Sequence, residues 1–424
     1  MNDELPKQIA RECVRILLIF SSSELGGAER SLTRMTLLHH ENIQYTLASL
    51  DGPGAWSDWY RELGGHPFLF GSPRGTLDDS NHSELIKGHS SRNHELRQAQ
   101  RGRMKIVQRY LGENGRHGHF NLKALWRMLA LVRQSGFNAI YVIGLRASFW
   151  LRVLKPFLCG ARLVHGIRWN PNSGSRLDRT FRLIERCLGW LVDLYVCNSQ
   201  VAALTLECRA GVSSKKIRVI HNGLANLSPL PTKPLAERPL HVTVLANLNW
   251  RKGHIEFLNV VASIAKRLPQ THFFFVGRDD MAGRVATEIE RRGLAGTVTL
   301  TGYQADIAPW LAETRLMVLP SLWGEGCPTS ILEGQAHGLP VIAYAIDGIP
   351  ELIADGIDGL LVPPGDIESF SSAILRLLED PALAQRMGDA GRTKVERNFT
   401  LARCASLHTA IFSELAATSE TGHS

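Results

Sequence analysis

The chain opens with a nearly continuous apolar run, Val14-Arg-Ile-Leu-Leu-Ile-Phe20. Such a run reads as a strand buried on both faces of a parallel sheet. A small polar loop, Ser21-Ser-Ser-Glu-Leu-Gly-Gly27, leads into a segment of helical period from Ala28 to about His39. Strand, glycine loop and helix in that order begin a doubly wound α/β domain. Further strands are predicted at Tyr45–Leu50, Ala139–Ile143, Arg162–His165, Leu194–Cys197 and Ile217–Ile220. Between Gly71 and Phe120 the pattern gives way to polar, His- and Arg-rich sequence, which predicts a long surface excursion, either functional or without fixed structure.

Asn226 to Pro239 carries four prolines and reads as an interdomain linker, which assigns residues 1–225 to a first domain. A second α/β pattern follows over 240–400. Its strands are predicted at Leu240–Leu245, His272–Val276, Val298–Leu300, Leu316–Leu319, Val341–Tyr344 and Leu360–Val362, with an amphipathic helix at His254–Arg267. The tail from about Asp366 to Ala416 reads as helix throughout, and 401–424 as a C-terminal helix and tail. The length of 424 residues fits two domains, and no internal repeat of 20–50 residues is visible.

Composition narrows the classes. The seven cysteines form no C-x-x-C pair, and the sixteen histidines no metal-ligand spacing, so neither a disulfide framework nor a metal site is expected. Val14–Phe20 is too short to span a bilayer and follows an acidic, polar start, so no secretory leader or membrane span is expected. These features predict a cytoplasmic protein. Charge is uneven: residues 1–230 hold 31 Lys/Arg against 18 Asp/Glu, and the rest 17 against 22. Residues 97–182 alone hold 17 Lys/Arg and two acids, Glu113 and Asp178. Apolar residues interleave with these cations (Trp126, Leu129, Phe149, Trp150, Phe157), which favours contact with an anionic membrane surface over a merely solvated basic face. No nucleic-acid-binding motif accompanies the arginines.

Pro320-Ser-Leu-Trp-Gly-Glu-Gly-Cys-Pro-Thr-Ser-Ile-Leu-Glu333 carries the most chemistry. It follows an apolar strand, places Gly324 and Gly326 in a turn, and offers Thr329 or Ser330 as a helix cap. Free N–H groups at that helix start, with the helix dipole, suit a diphosphate. Glu333 then lies about one turn into the helix, within reach of a ribose diol, and Glu325 in the loop can hold sugar hydroxyls.

This segment resembles the signature of glycosyltransferase family 4, retaining enzymes in which two Glu residues stand eight positions apart. The resemblance extends over most of residues 14–400. It implies a GT-B fold, two Rossmann-like domains facing a central cleft, with the acceptor bound by the first and the donor by the second. Gly26 and Gly27 match the family's glycine loop, and His165 a histidine near the donor sugar. Lys252 matches the lysine that pairs with the donor diphosphate, and Gly302 and Tyr303 lie at a strand end near the base. Gly326, Cys327, Pro328, Thr329, Ser330 and Glu333 complete the donor site, while Glu325, His165 and Lys252 are the expected catalytic residues. Asn198-Ser199 and Val219-Ile-His-Asn-Gly223 match two recurrent family sites bordering the cleft, and Asp347-Gly-Ile-Pro-Glu-Leu352 follows the usual downstream pattern. Asn247 departs from the pattern: family members commonly place arginine there, five residues before the lysine, and Arg251 is the candidate replacement cation.

The resemblance implies metal-independent transfer of a sugar from a UDP- or GDP-linked donor, with retention, to a glycan or lipid-linked acceptor. The setting would be surface polysaccharide or lipopolysaccharide synthesis at the inner face of the membrane. A glycoside hydrolase also uses two carboxylates, but the nucleotide-type context argues against one. A catalytically weak or inactive relative, acting as a scaffold, is the alternative that Asn247 keeps open.

Overall fold

A computed structural model describes residues 13–38, 40, 42–71, 122–172, 176–225 and 233–420. The expected excursion after Gly71 and most of the proline-rich segment fall outside them.

The first half runs β1 (Val14–Phe20), α1 (Gly27–Thr36), β2 (Ile43–Ser49), α2 (Ala55–Glu62), β3 (Phe68–Leu69), α3 (Leu122–Ser135), β4 (Ala139–Ile143) and α4 (Leu145–Val153). It continues through β5 (Arg162–Ile167), α5 (Arg176–Leu188), β6 (Leu194–Cys197), α6 (Gln200–Ala210) and β7 (Ile217–Val219). The second half runs β8 (His241–Leu245), α7 (His254–Arg267), β9 (His272–Val276), α8 (Arg284–Arg291), β10 (Val298–Gly302), α9 (Ala308–Ala312) and β11 (Leu316–Leu319). Then come α10 (Thr329–Ala336), β12 (Val341–Tyr344), β13 (Gly359–Val362), α11 (Ile367–Glu379), α12 (Pro381–Asn398) and α13 (Leu401–Glu420).

The strands form two sheets, ordered β3-β2-β1-β4-β5-β6-β7 and β10-β9-β8-β11-β12-β13. The second repeats the first six positions of the first, and both follow the doubly wound order in which the winding reverses beside the first strand. In the second sheet that reversal lies between β8 and β11, which pair in parallel with Val242 opposite Leu316 and Val244 opposite Val318. By compactness the chain divides into one unit of residues to Gly166, Cys187–Val196 and Ala405 onward, and a second of Ile167–Arg186 and Cys197–Cys404.

The apolar runs do what their patterning predicts. Ile16 to Phe20 are all fully buried. In the second unit Val242, Val244, Phe273, Phe275, Met317 and Val318 from the sheet pack with Phe257, Ile331 and Phe370 from helices. The described end of the proline-rich segment is docked rather than extended: Leu235 is fully buried, and Arg238 donates to the Thr314 carbonyl at 2.9 Å. No helix among the described residues is long and apolar enough to cross a membrane.

The C-terminal tail corrects one expectation, because it is three helices rather than one. Asp380 caps α12 by accepting from the Leu383 N–H at 2.9 Å, and Pro381 occupies the first helical position, where its missing N–H costs nothing. The second break comes at Phe399, whose carbonyl accepts from the Leu224 N–H at 2.8 Å, while Leu401 donates to the Leu224 carbonyl at 2.7 Å. A backbone segment from far upstream thus occupies groups a continuous helix would need, a cause no local periodicity displays.

Gly388 lets α12 approach the end of α10 closely. A Cβ there would lie 2.0 Å from the Gly338 carbonyl oxygen, which is backbone and has little room to yield. Gly388→Ala, a change that elsewhere in a helix stabilises, is expected here to lower unfolding free energy by about 1–3 kcal/mol, read from the urea midpoint.

Candidate active site

At the reversal point of the second sheet, the loops leaving β8 and β11 run side by side. Gly253 makes this possible. Its φ is 66°, and a Cβ would fall 2.2 Å from the Pro320 carbonyl oxygen, so only glycine fits. The Leu322 N–H donates to the Arg251 carbonyl at 2.7 Å and ties the loops together. Lys252 and Glu325 therefore meet: Lys252 Nζ lies 2.5 Å from Glu325 Oε1, with side chains only 14% and 7% exposed. Burial pushes the Glu325 carboxyl upward. Lys252, by charge and hydrogen bond, more than offsets this with help from Arg251, and holds it below the usual carboxylate range. Arg251 Nη1 donates to the Gly324 carbonyl at 3.1 Å, so its guanidinium lies along the same loop.

Asp347 sets the shape of that loop. Its Oδ2 accepts from the N–H groups of Gly324 at 2.6 Å and Glu325 at 3.1 Å, and its Oδ1 accepts from Asn170 Nδ2 at 2.6 Å. Asp347 adopts φ 47°, a left-handed conformation that aspartate tolerates better than most residues. The next residue, Gly348, donates its N–H to the Glu325 carbonyl at 3.2 Å, and a Cβ on it would meet the Gly326 oxygen at 1.8 Å.

A third segment closes in from β6 and β7. A Cβ on Gly326 would fall 2.2 Å from Asn198 Oδ1. Asn222 donates through its side chain to the Cys327 carbonyl at 2.6 Å and through its N–H to the Cys327 sulfur at 3.3 Å. Glu351 accepts from the first two N–H groups of α6, Gln200 and Val201, at 2.8 and 2.9 Å, and from His221 Nε2 at 2.8 Å. Burial raises its pKa, and these donors bring it net downward. Burial also lifts the Cys327 thiol to about 12, so this cysteine is a packing and hydrogen-bonding group rather than a nucleophile.

The structure thus brings Arg251, Lys252, Glu325, Gly326 and Cys327 into one place. Pro328, not Thr329 or Ser330, holds the cap position of α10, and it makes no side-chain cap hydrogen bond. This corrects the expected cap: Thr329 and Ser330 are the first helical residues. Glu333 lies half-buried in the second turn. Asn247 accepts from the Arg278 N–H at 3.1 Å and so joins the β8 loop to the end of β9. Gly302, at φ 69°, accepts from the Gly277 N–H at 3.0 Å, and Tyr303 beside it is 51% exposed.

Gly26, Gly27 and His165 belong to the first unit. Gly26 precedes α1 in extended conformation, and the Glu29 carboxylate lies against it, 2.7 Å from where a Cβ would be. An oxyanion approaching that loop would have to displace it. His165 is fully buried, with Nδ1 2.9 Å from Arg152 Nη2. A guanidinium only donates, so Nδ1 accepts and the neutral ring carries its proton on Nε2.

Sequence reasoning named the segments holding Asp347, Asn198, Asn222 and Glu351 but gave them no role. The signal was an Asp-Gly pair, which marks a left-handed turn, yet nothing local says which loop the carboxylate holds.

With this geometry in hand, similarity to known proteins is informative. The Glycosyltransferase Family 4 model matches residues 25–225, and that of Glycosyl transferases group 1 matches residues 239–380. The amylovoran biosynthesis glycosyltransferase AmsK of Erwinia amylovora is 31% identical over 201 residues, 45% of this chain and 48% of that one. The chain thus spans about half the length of that relative. An Escherichia coli UDP-Gal:alpha-D-GlcNAc-diphosphoundecaprenol alpha-1,3-galactosyltransferase is 25% identical over 67% of this chain and 77% of its own. Among solved structures, Anabaena HepE in complex with UDP-glucose superposes with a TM-score of 0.73 at 18% identity, covering 94% of this chain and 99% of that one. The fold is GT-B.

Two outcomes test the site's construction. Asp347→Ala strands two backbone N–H groups in the Glu325 loop and is expected to cost about 2–4 kcal/mol by denaturant unfolding, at roughly 1–3 kcal/mol per unsatisfied buried group. The second concerns His254, which follows Gly253 and is buried against Phe275, with neither ring nitrogen hydrogen-bonded among the described residues. Burial first, and Lys252 second, depress its pKa to about 3. The unfolded chain then takes up a proton below pH 6.5 that the folded chain refuses. This contribution is complete above that pH and is lost as pH falls toward 3. His254→Leu should flatten the pH dependence of stability across that window by up to about 1.4 kcal/mol per pH unit.

Proposed function

We propose that this chain, which belongs to the group 1 glycosyltransferases of family 4, moves a sugar from a nucleoside diphosphate to a hydroxyl of a glycan or lipid-linked acceptor. The observation that carries the reading is the buried Lys252–Glu325 pair at the reversal point of the second sheet, one loop ahead of the uncapped start of α10. A shielded lysine, an arginine on the same loop and the N–H groups of a helix start suit the charge that develops on a departing diphosphate.

In this scheme Lys252 exchanges its bond to Glu325 for the diphosphate, with Arg251 as a second cation and the first-turn amides of α10 as further donors. Glu325, relieved of its partner, accepts from hydroxyls of the donor sugar, and Glu333 accepts from the ribose. The anomeric C–O bond to the diphosphate breaks and a bond to the acceptor oxygen forms on the same face, so configuration is retained. The acceptor proton passes to the departing phosphate. No metal takes part and no side chain is assigned as base.

A UDP-linked donor is favoured over a GDP-linked one because the solved structure of this fold cited above holds UDP-glucose. The acceptor reading draws support from the named relatives, which serve amylovoran and diphosphoundecaprenol-linked glycan synthesis. In this reading the enzyme works in surface glycan assembly, at the cytoplasmic face of an anionic membrane approached through the basic first half.

Without added metal, UDP is expected to raise the melting temperature, and more than GDP or ADP. Lys252→Gln should weaken that binding about 10- to 100-fold, the range of roughly 1.5–3 kcal/mol for a charge-assisted bond. Glu333→Ala should reduce it less. Turnover with a sugar acceptor, read by NMR of the product's anomeric proton, should give retention. Binding of none of the three nucleotides would sink the donor site, and nucleotide binding without turnover would favour the scaffold alternative that Asn247 raises.

A further inference from the structure

Helix α5 carries its charge in an unusual arrangement. Asp178, Phe181 and Glu185 face inward and are 4%, 0% and 2% exposed. The outward stripe is Arg179, Arg182, Leu183 and Arg186, residues three or four apart and therefore neighbours on one helical face. With Arg209 near the end of α6, these same residues line a concavity of about 200 Å³. Its lining consists of four arginines and one leucine, with no carboxylate among them. Arg182 is fixed at the concavity by a 2.6 Å bond from Nη1 to the Pro171 carbonyl. Leu183, set between Arg179 and Arg186, is 62% exposed.

We infer that this concavity is the contact by which the enzyme docks on an anionic bilayer, the arginines taking lipid phosphate groups and Leu183 entering the interface beside them. The inference rests on the membrane-surface reading above and gives it a place. Guanidinium groups gathered around one hollow repel one another until an anion enters, and their planar forks match phosphate oxygens in pairs. A small soluble phosphate would explain the arginines but not a large apolar side chain held out among them. A nucleic-acid track would call for aromatic stacking, which the lining lacks. A lipid surface uses both features, because charge draws the helix to the headgroups and an apolar residue sinks below them.

The test uses the full chain and sedimentation with vesicles of 30% phosphatidylglycerol in phosphatidylcholine, against phosphatidylcholine alone, at low and high salt. Wild type should bind the anionic vesicles and be released by salt. Each arginine replaced by glutamine, at 179, 186 or 209, should lower partitioning about fivefold, and the triple variant should abolish it. Leu183→Ser, a neutral change, should weaken binding without changing its salt dependence. Lys266→Gln with Arg267→Gln, exposed on α7, should bind like wild type, and melting temperatures confirm folding throughout. If wild type binds anionic vesicles and the triple variant binds equally, this site is wrong while membrane docking stands. If wild type ignores anionic vesicles at low salt, both fail. If the arginine variants lose protection by inorganic phosphate or binding of an oligonucleotide while vesicle binding persists, the hollow serves that ligand instead.

Discussion

The buried contact between Lys252 and Glu325 is the interaction on which the second half of the molecule is organised. Two opposite charges almost out of water lose hydration worth several kcal/mol each, and the attraction between them offsets that loss only in good geometry. Their 2.5 Å contact demands that the loops after β8 and β11 lie within one side chain of each other. The doubly wound order meets the demand, since β8 and β11 are neighbours at the point where the winding reverses. Gly253, with no Cβ to strike Pro320, meets the rest of it.

The same constraint explains why glycines crowd this region. Three segments distant in sequence, around Asn198, Glu325 and Asp347, pack so closely that a Cβ on Gly326 would strike the Asn198 side chain and one on Gly348 the Gly326 backbone. Gly326 and Gly348 are the points of closest passage. Asp347 then does for the Glu325 loop what a cap does for a helix, supplying one carboxylate oxygen to two N–H groups that would otherwise be stranded. Glu351, four residues on, holds the start of α6 by the same means. A short stretch after β12 therefore organises both neighbours through carboxylate-to-amide bonds.

These relations mark the boundary of what the sequence made legible. Strands such as Leu316–Leu319 and Val341–Tyr344 could be read at their observed limits, because buried parallel strands are local apolar runs with local stops. Lys252 and Glu325 could be named from their motifs. Their pairing could not, because it is a contact between residues 73 positions apart. Asp347 is legible only as part of a recurrent segment, since its role exists only once the loop it holds has been folded against it. The helix break at Phe399 has the same character: its cause is the backbone of Leu224, and no window of the tail contains it. The start of α10 departs from the expected Thr329 or Ser330 cap for a different reason. Thr329 and Ser330 are good capping residues, but Pro328 takes the cap conformation ahead of them.

Asn247 bears most directly on whether the site is a working one. A neutral residue where family members commonly carry arginine removes a charge, but the structure puts its amide to use in fixing the end of β9. Arg251, held by the Gly324 carbonyl, supplies a guanidinium on the loop that bears Glu325. A chain that had abandoned donor binding would have no use for a lysine and a glutamate buried together, since replacing such a pair by well-packed apolar residues is often neutral or stabilising. The pair is worth its desolvation where each member has a second partner to take up. A diphosphate for Lys252 and sugar hydroxyls for Glu325 are partners of that kind, and the uncapped start of α10 beside them is otherwise a defect. Under the proposed transfer, two features that each weaken the resting protein would serve one purpose, so the arrangement fits an active transferase better than a relic of one.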